Sequence, residues 1–249
     1  MVKMHASEFN KVTGTTFSIK CEKLIYKAKS VFQKIKVYQS KQYGNIMMLD
    51  DCFMLTEKGN DQYHDKCISL ATIDKKEADV LIIGGGDFGL VKSLFKKIDI
   101  KKLYVVEIDE KVVDVSIKFF PDFFKLPKKT KEKITITIDD GYDWIKNNKV
   151  AFDIIIIDCT DPNPIAKKLY LKKFYQYIHR SLNKNGILIQ QSGSPYLNKK
   201  DIINPTINKL SSIGFKEITL NTFSMPIYPL VHGLLLNVKR RDKISRLSM

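Results

Sequence analysis

The sequence predicts a doubly wound α/β sheet with a small N-terminal β-hairpin domain, and three observations carry that prediction. A short apolar run, Val80 to Ile83, feeds directly into Gly84-Gly85-Gly86-Asp87-Phe88-Gly89 and then into an apolar helix pattern. From there strand and helix patterns alternate regularly, which requires parallel strands with helices on both faces. Ahead of them, residues 14–56 are rich in β-branched and aromatic residues broken by turn signals.

Each element follows from its local pattern. Thr15 to Ile19, Lys23 to Tyr26, Val31 to Tyr38 and Ile46 to Leu49 read as strands, and Tyr43-Gly44-Asn45 as a turn between two of them. Alternation from Phe32 to Tyr38 marks a half-buried antiparallel strand. A helical pattern from Asn60 to Ala71 leads into the main unit. There the strands are Val80 to Ile83, Lys102 to Glu107, Ile134 to Ile138, Asp153 to Asp158 and Gly186 to Gln191. Helices separate them: Leu90 to Lys97, Glu110 to Phe119, Tyr142 to Asn147, Lys172 to Leu182 and Lys200 to Ile213. Two last strands, Phe215 to Thr222 and His232 to Val238, are joined by Asn221 to Val231, too short for a crossover helix, so they pair antiparallel. The domains divide as residues 1–58 and 59–249.

The glycine turn is the first sign of a ligand. Gly84, Gly86 and Gly89 match the G-x-G-x-x-G spacing, and Glu107 lies about 20 residues on, where an acidic side chain takes a ribose hydroxyl. Asp87 argues against a dinucleotide, because it stands where a pyrophosphate would meet the helix N-terminus and like charges repel. A phosphate-free, cationic nucleoside of the S-adenosylmethionine type fits better. The plain alternative is a turn that only packs helix on strand.

Composition narrows the class. Hydrophobic residues at 44% and aromatics at 10% describe a folded globular chain. The net charge of +15 comes mostly from paired lysines such as Lys96-Lys97, Lys128-Lys129 and Lys199-Lys200, spread over polar faces, with one dense patch at Lys239 to Lys243. That distribution reads as a solvated surface, so nucleic acid is not expected as a partner. Cys21, Cys52, Cys67 and Cys159 form no C-x-x-C pair, so neither a zinc site nor a disulfide framework is indicated. Reduced cysteines, a first segment without an apolar leader, and no run of about 18 apolar residues lead us to expect a soluble cytoplasmic protein without a membrane span.

Ligands bind at the carboxyl ends of parallel strands. In this chain those ends carry Asp87, then Glu107 and Asp109, then Asp139 and Asp140, then Asp158 and Asp161. A negative edge on a positive chain selects a cation. Asp109 before Glu110 also suits a helix N-cap, and Asp140-Gly141 a turn. Asp158 ends the apolar Ile154 to Ile157, so it leaves a dry strand and enters the cleft.

Five segments in order, Gly84 to Asp87, Val106 to Asp109, Asp140 to Tyr142, Asp158 to Pro162 and Met225 to Pro229, resemble the motifs of the spermidine synthase family, the polyamine aminopropyltransferases. Phe32 to Ile35, Tyr43 to Asn45, Leu49-Asp50 and Tyr63-His64 resemble the family's N-terminal β-hairpin domain and the helix after it, so the similarity spans about residues 10–238. The resemblance implies a Rossmann-like catalytic domain of the S-adenosylmethionine-dependent methyltransferase type. It also implies transfer of an aminopropyl group from decarboxylated S-adenosylmethionine to an amine, putrescine by family default, with release of methylthioadenosine. By the same resemblance Asp158 is the general base, and Tyr63, Asp161 and Tyr228 bind the acceptor. Gln33, His64, Gly84, Gly86, Asp87, Glu107, Asp140 and Gly141 bind the donor, with Glu107 on the ribose, Asp140 on the adenine amino group and Asp87 on the ammonium. No metal or resident cofactor is implied, and a homodimer is.

The departures cluster: the donor half is nearly intact, with Phe88 replacing a glycine in the first turn, and the acceptor half is not. Met54 replaces a common Gln, Gly59-Asn60 an Asp-Glu pair, Gly193 a frequent Glu, and Leu230-Val231-His232 a Ser-Gly-Gln type run. Two rivals remain: an S-adenosylmethionine-dependent methyltransferase acting on RNA or a small amine, and a catalytically weakened nucleoside-binding relative. Against the first, Asp158-Cys159-Thr160-Asp161-Pro162 lacks the Pro-Pro-aromatic run that stacks an amine for methylation.

Overall fold

A computed structural model describes residues 4–73 and 75–239, with the backbone alone at 225, 228–232 and 234–239. The dense basic run Lys239 to Lys243 falls outside the described side chains.

Thirteen described strands form three sheets. An antiparallel pair joins β1 (Met4–Asn10) to β2 (Thr15–Cys21). Next comes a four-stranded meander of β3 (Lys23–Lys29), β4 (Lys34–Ser40), β5 (Gly44–Leu49) and β6 (Cys52–Thr56). Strand β1 was not anticipated from the sequence, because Met4 to Asn10 carries little apolar alternation and is ordered by pairing with β2. The expected strand from Val31 begins instead at Lys34: Val31 is 92% exposed at the tip of the β3–β4 turn, whereas Ile35 and Val37 are buried.

Helix α1 (Asp61–Leu70) then leads to the large sheet. Its chain order is β7 (Ala78–Gly84), α2 (Gly89–Lys97), β8 (Ile100–Glu107), α3 (Glu110–Phe119), a 3-10 turn at Pro121–Phe124, the short α4 (Lys128–Lys131), β9 (Ile134–Ile138) and α5 (Gly141–Asn147). After that come β10 (Phe152–Asp158), α6 (Lys172–Ser181), β11 (Leu182–Gln191), a π turn at Lys199–Ile203 and α7 (Asn204–Ile213), and finally β12 (Lys216–Met225) and β13 (Tyr228–Lys239). Spatially the strands run β12-β13-β11-β10-β7-β8-β9, the last five parallel and the first two antiparallel.

Alternation along each central strand builds two cores. Val80 and Ile82 face the side of α1 and α2, against Cys67, Val91 and Leu94. Leu81 and Ile83 face the opposite side, against Ile145 of α5 and Phe174, Tyr175 and Ile178 of α6. The N-terminal strands lean on α3, where Ile35, Val37, Met47 and Leu55 meet Val112, Val115 and Phe120.

Strands β12 and β13 reach further than the sequence pattern suggests, nearly meeting at a turn through Pro226 and Ile227. Pro229 sits where the register shifts between Ser224 and Met225, beyond the end of β11, so no ladder bond is lost to its missing N–H.

Chain order places the functional cleft. The path runs outward from β7 through β8 to β9, then returns to the other side of β7 for β10 and β11. The strand order therefore reverses between β7 and β10, and a crevice opens at their carboxyl ends, where Asp158 is in register with Gly84.

Candidate active site

Close backbone approach explains the glycines. A Cβ on Gly84 would lie 2.1 Å from the Asp158 carbonyl oxygen, and one on Gly86 would lie 2.6 Å from Glu107 Cγ. The turn is thus pressed between the ends of β10 and β8, and Gly85 N–H donates to Asp158 O at 3.1 Å. Phe88 is the exception. It holds the left-handed φ of +62° without being glycine, and its buried ring stacks on Phe124 at 4.4 Å between centroids.

Three acidic side chains converge on this turn. Tyr63 Oη, from α1, donates to Asp158 Oδ1 at 2.6 Å. Asp87 Oδ1 accepts the Gly89 N–H at 2.9 Å. Glu107 accepts from Gly86 N–H at 3.1 Å through one oxygen and from Asp109 N–H at 3.0 Å through the other. Burial raises the pKa of all three, since removing a carboxylate from water disfavours its charge. Asp87 reaches about 7, pushed by burial and then by the charge of Asp158, with the Gly89 N–H pulling the other way. For Asp158 burial dominates and the Tyr63 hydroxyl opposes it.

His64 belongs to the same wall. A Cβ on Gly89 would lie 2.7 Å from His64 Cε1, and burial pulls the imidazole down to about 4, so the ring is neutral at physiological pH. Tyr63 is fixed between His64 and Phe223, with ring centroids 5.7 and 5.3 Å away.

Gln33 comes in from the β3–β4 turn. Its Nε2 donates to Asp109 Oδ2 at 3.0 Å, and Ser30 Oγ donates to the same oxygen at 2.7 Å. Asp109 also caps α3 by accepting from Lys111 N–H, as the plain N-cap reading expects. Beside this node lies a cavity of about 670 Å³, lined by Ser30, Phe32, Ile108, Asp109, Lys111 and Ile138 among others. Its size suits a nucleoside.

Asp140 and Gly141 sit at the carboxyl end of β9, where Asp140 Oδ1 caps α5 at Tyr142 N–H and Oδ2 pairs with Lys168 Nζ at 2.9 Å. Gly141 is buried with Ile83 Cγ2 only 2.4 Å from where its Cβ would be, so helix packing alone requires it. Asp139 is exposed, unlike Glu107 and Asp109, which are buried.

On the other side of Asp158, the Oδ1 atom of Asp161 is buried and accepts no hydrogen bond among the described residues. Burial raises the Asp161 pKa, and the carboxylate of Glu8 adds to it. Glu8, on β1, accepts Phe53 N–H at 2.7 Å and gives this end of the cleft an acid that sequence reasoning missed. The side chain of Tyr228 lies outside the described residues, as do those of Leu230, Val231 and His232. No group of three His, Cys, Asp or Glu side chains among the described residues could hold a metal ion. None of the described helices is long and apolar enough to cross a membrane.

The arrangement resembles known proteins throughout. A spermine/spermidine synthase domain model matches residues 60–241, and a spermidine synthase tetramerisation domain model matches residues 4–57. A polyamine aminopropyltransferase of Methanocaldococcus jannaschii is 35% identical over 218 residues, 87% of this chain and 73% of that protein. One from Prochlorococcus marinus strain AS9601 is 39% identical over 210 residues, covering 83% and 73%. Among solved structures, spermidine synthase from Thermotoga maritima superimposes with a TM-score of 0.86 at 24% identity, covering 96% of this chain and 80% of that one. A spermidine synthase in complex with the transition state analogue AdoDATO gives the same TM-score and identity over 96% and 81%. These two share the fold: a Rossmann-like, methyltransferase-type sheet with N-terminal antiparallel strands. With both family models in register and more than a third of positions identical in a relative that shares most of its length, this chain belongs to the spermidine synthase family, the polyamine aminopropyltransferases.

Proposed function

We propose that this enzyme transfers the aminopropyl group of decarboxylated S-adenosylmethionine to putrescine, giving spermidine and methylthioadenosine. What supports this most is the half-buried pair Asp87 and Asp158, set at the switch point with Tyr63 holding one oxygen of Asp158. A half-buried carboxylate pair of raised pKa is best relieved by a cation, and both substrates are cations.

In the proposed reaction the acceptor amine, with a pKa near that of lysine, arrives protonated and has no lone pair. Asp158 removes one proton through the oxygen Tyr63 leaves free. The nitrogen then attacks the carbon beside the sulfonium. A C–N bond forms, the C–S bond breaks with its electron pair passing to sulfur, and the proton leaves to solvent from Asp158. Asp87 binds the ammonium of the aminopropyl group. Glu107 has lone pairs left for the ribose hydroxyls after accepting two N–H groups. Gln33 turns its carbonyl to the nucleoside because Asp109 takes its N–H. Asp140 meets the adenine amino group, and Gly84, Gly86, Gly141 and neutral His64 shape the donor side. Tyr63, Asp161 and Tyr228 hold the acceptor, and Glu8 beside Asp161 offsets the missing acid at Gly193. The nucleoside is a co-substrate, and the proposal uses no resident cofactor.

On the same reading, residues 1–58 are an N-terminal β-hairpin domain through which a homodimer forms, residues 59–249 are the catalytic domain, and the enzyme works in the cytoplasm. Phe9 and Val12, 59% and 75% exposed, offer apolar surface for that association.

The purified protein, given decarboxylated S-adenosylmethionine and putrescine, should release methylthioadenosine, and Asp158→Asn should lower the rate by about 10²-fold or more while leaving thermal melting intact. No release with any of a panel of amines, or transfer of a methyl group from S-adenosylmethionine instead, defeats the proposal.

A further inference from the structure

Five residues after Gly193 the chain comes back to it. Gly193 has a φ of +69°, and a Cβ placed on it would lie 2.5 Å from Asn198 Oδ1 and 2.9 Å from Asp161 Oδ1. Asn198 Oδ1 accepts the Ser194 N–H at 2.9 Å, and Asn198 N–H donates to Ser194 O at 2.8 Å, so the loop closes on itself with the carboxamide held in place. Gln191, its amide oriented by its neighbours, donates to Cys159 O at 3.0 Å and accepts from Gly193 N–H at 3.1 Å. This bridge ties the loop to the segment that carries Asp158 and Asp161.

We propose that Asn198 determines acceptor specificity: its carboxamide fills the volume a side chain at position 193 would take and closes the acceptor end of the cleft beside Asp161. The inference rests on the aminopropyl transfer proposed above. A carboxylate from position 193 would add charge at this wall, whereas Asn198 adds only bulk and a dipole. The wall therefore measures the length of the amine, and Asp161 and Glu8 supply the charge. The proposal thus has a four-carbon diamine bound in front of Asn198 and a longer triamine excluded by it.

The test compares kcat/KM for putrescine and spermidine as acceptors in the parent enzyme and in Asn198→Ser, Asn198→Ala and Asn198→Gln. Asn198→Ser keeps an acceptor for the Ser194 N–H and guards against simple loop collapse. Shortening the side chain should raise the spermidine-to-putrescine ratio about tenfold, and Asn198→Gln should lower it. A ratio constant within about twofold while both values fall together assigns Asn198 a structural role and overturns the inference.

Melting temperatures of Gly193→Ala, Asn198→Ala and the double variant give an activity-independent reading. Gly193→Ala keeps the strain of a left-handed φ in either background, so Asn198→Ala should relieve only the steric share of its loss, and purely additive losses overturn the shared-volume argument. Absence of turnover in the parent enzyme would defeat the proposed reaction, and the melting cycle would still decide whether Asn198 occupies the position-193 volume.

Discussion

Tyr63 Oη and Asp158 Oδ1 meet at 2.6 Å, joining the first helix to the end of strand β10. The bond favours the ionised form of a carboxylate whose pKa burial raises. Tyr63→Phe keeps the ring between His64 and Phe223 and removes only the donor. The Asp158 pKa then rises, and if Asp158 is the base proposed above, which works only when ionised, the acid limb of the kcat/KM profile moves to higher pH. A charged hydrogen bond of about 1.5–3 kcal/mol corresponds to a rate loss of roughly ten- to a hundredfold at neutral pH. A pH profile that keeps its acid limb would remove Tyr63 from this role.

Asp87 makes the stability of the unliganded protein pH-dependent in a direction opposite to most acids. Its pKa is about 7 in the folded chain against an ordinary 3.8, so between those values the native state binds more protons than the unfolded one. The stabilisation from this group is fully present below about 3.8 and is lost as pH rises through about 7. Melting temperature should therefore rise as pH is lowered from 8 toward 6, and Asp87→Asn should flatten that slope. If the donor ammonium binds Asp87 as proposed, it requires the ionised form, so donor binding should release protons near neutral pH, measurable by calorimetry in buffers of different ionisation enthalpy. Binding without proton release, together with an unchanged slope in Asp87→Asn, would contradict the assignment.

Phe88 poses a question of magnitude. Its left-handed backbone costs about 1–2 kcal/mol relative to glycine. Its buried ring and stack on Phe124 contribute more, because deleting a core phenylalanine costs about 3–5 kcal/mol. Packing outweighs strain, so Phe88→Gly, although it makes the turn more glycine-rich, should destabilise the protein by roughly 2–3 kcal/mol in urea unfolding. A more stable variant would mean that the strain dominates.

The sequence and the structure agree where the determining signals are local. The apolar run at Ile154 to Ile157, the glycine turn and Glu107 lie on contiguous segments, and each was placed on its strand end from pattern alone. The acidic edge was legible as a list but not as a geometry: Asp109 and Asp140 are helix caps as well, while Asp139 stays outside. What was not legible depends on partners far along the chain. Glu8 sits on a strand without apolar alternation and acquires its meaning only beside Asp161, and Asn198 becomes relevant only because the loop folds back on Gly193. The final hairpin was read as two short strands because Pro226 and Pro229 signal a loop, whereas the first lies in the turn and the second where pairing is already irregular.

Lys168 gives a last test, of the adenine contact proposed for Asp140. Its Nζ lies 2.9 Å from Asp140 Oδ2 and 3.5 Å from Asp143 Oδ2, and the lysine is 47% exposed, so the pairs contribute little to folding. Hydrogen bonds to the two acids raise the lysine's own pKa, with Asp140 the larger cause, so it remains charged across the working range. If Asp140 accepts the adenine amino group, Lys168 competes for the same oxygen, and the donor must displace or share it. Lys168→Ala should then leave melting nearly unchanged and lower the donor KM by about two- to fivefold, with kcat and the acceptor KM unaffected. Asp140→Asn in the same background should cancel that gain. A donor KM that rises in Lys168→Ala would instead make the lysine a positioner of Asp140, holding the carboxylate toward the base rather than contending for it.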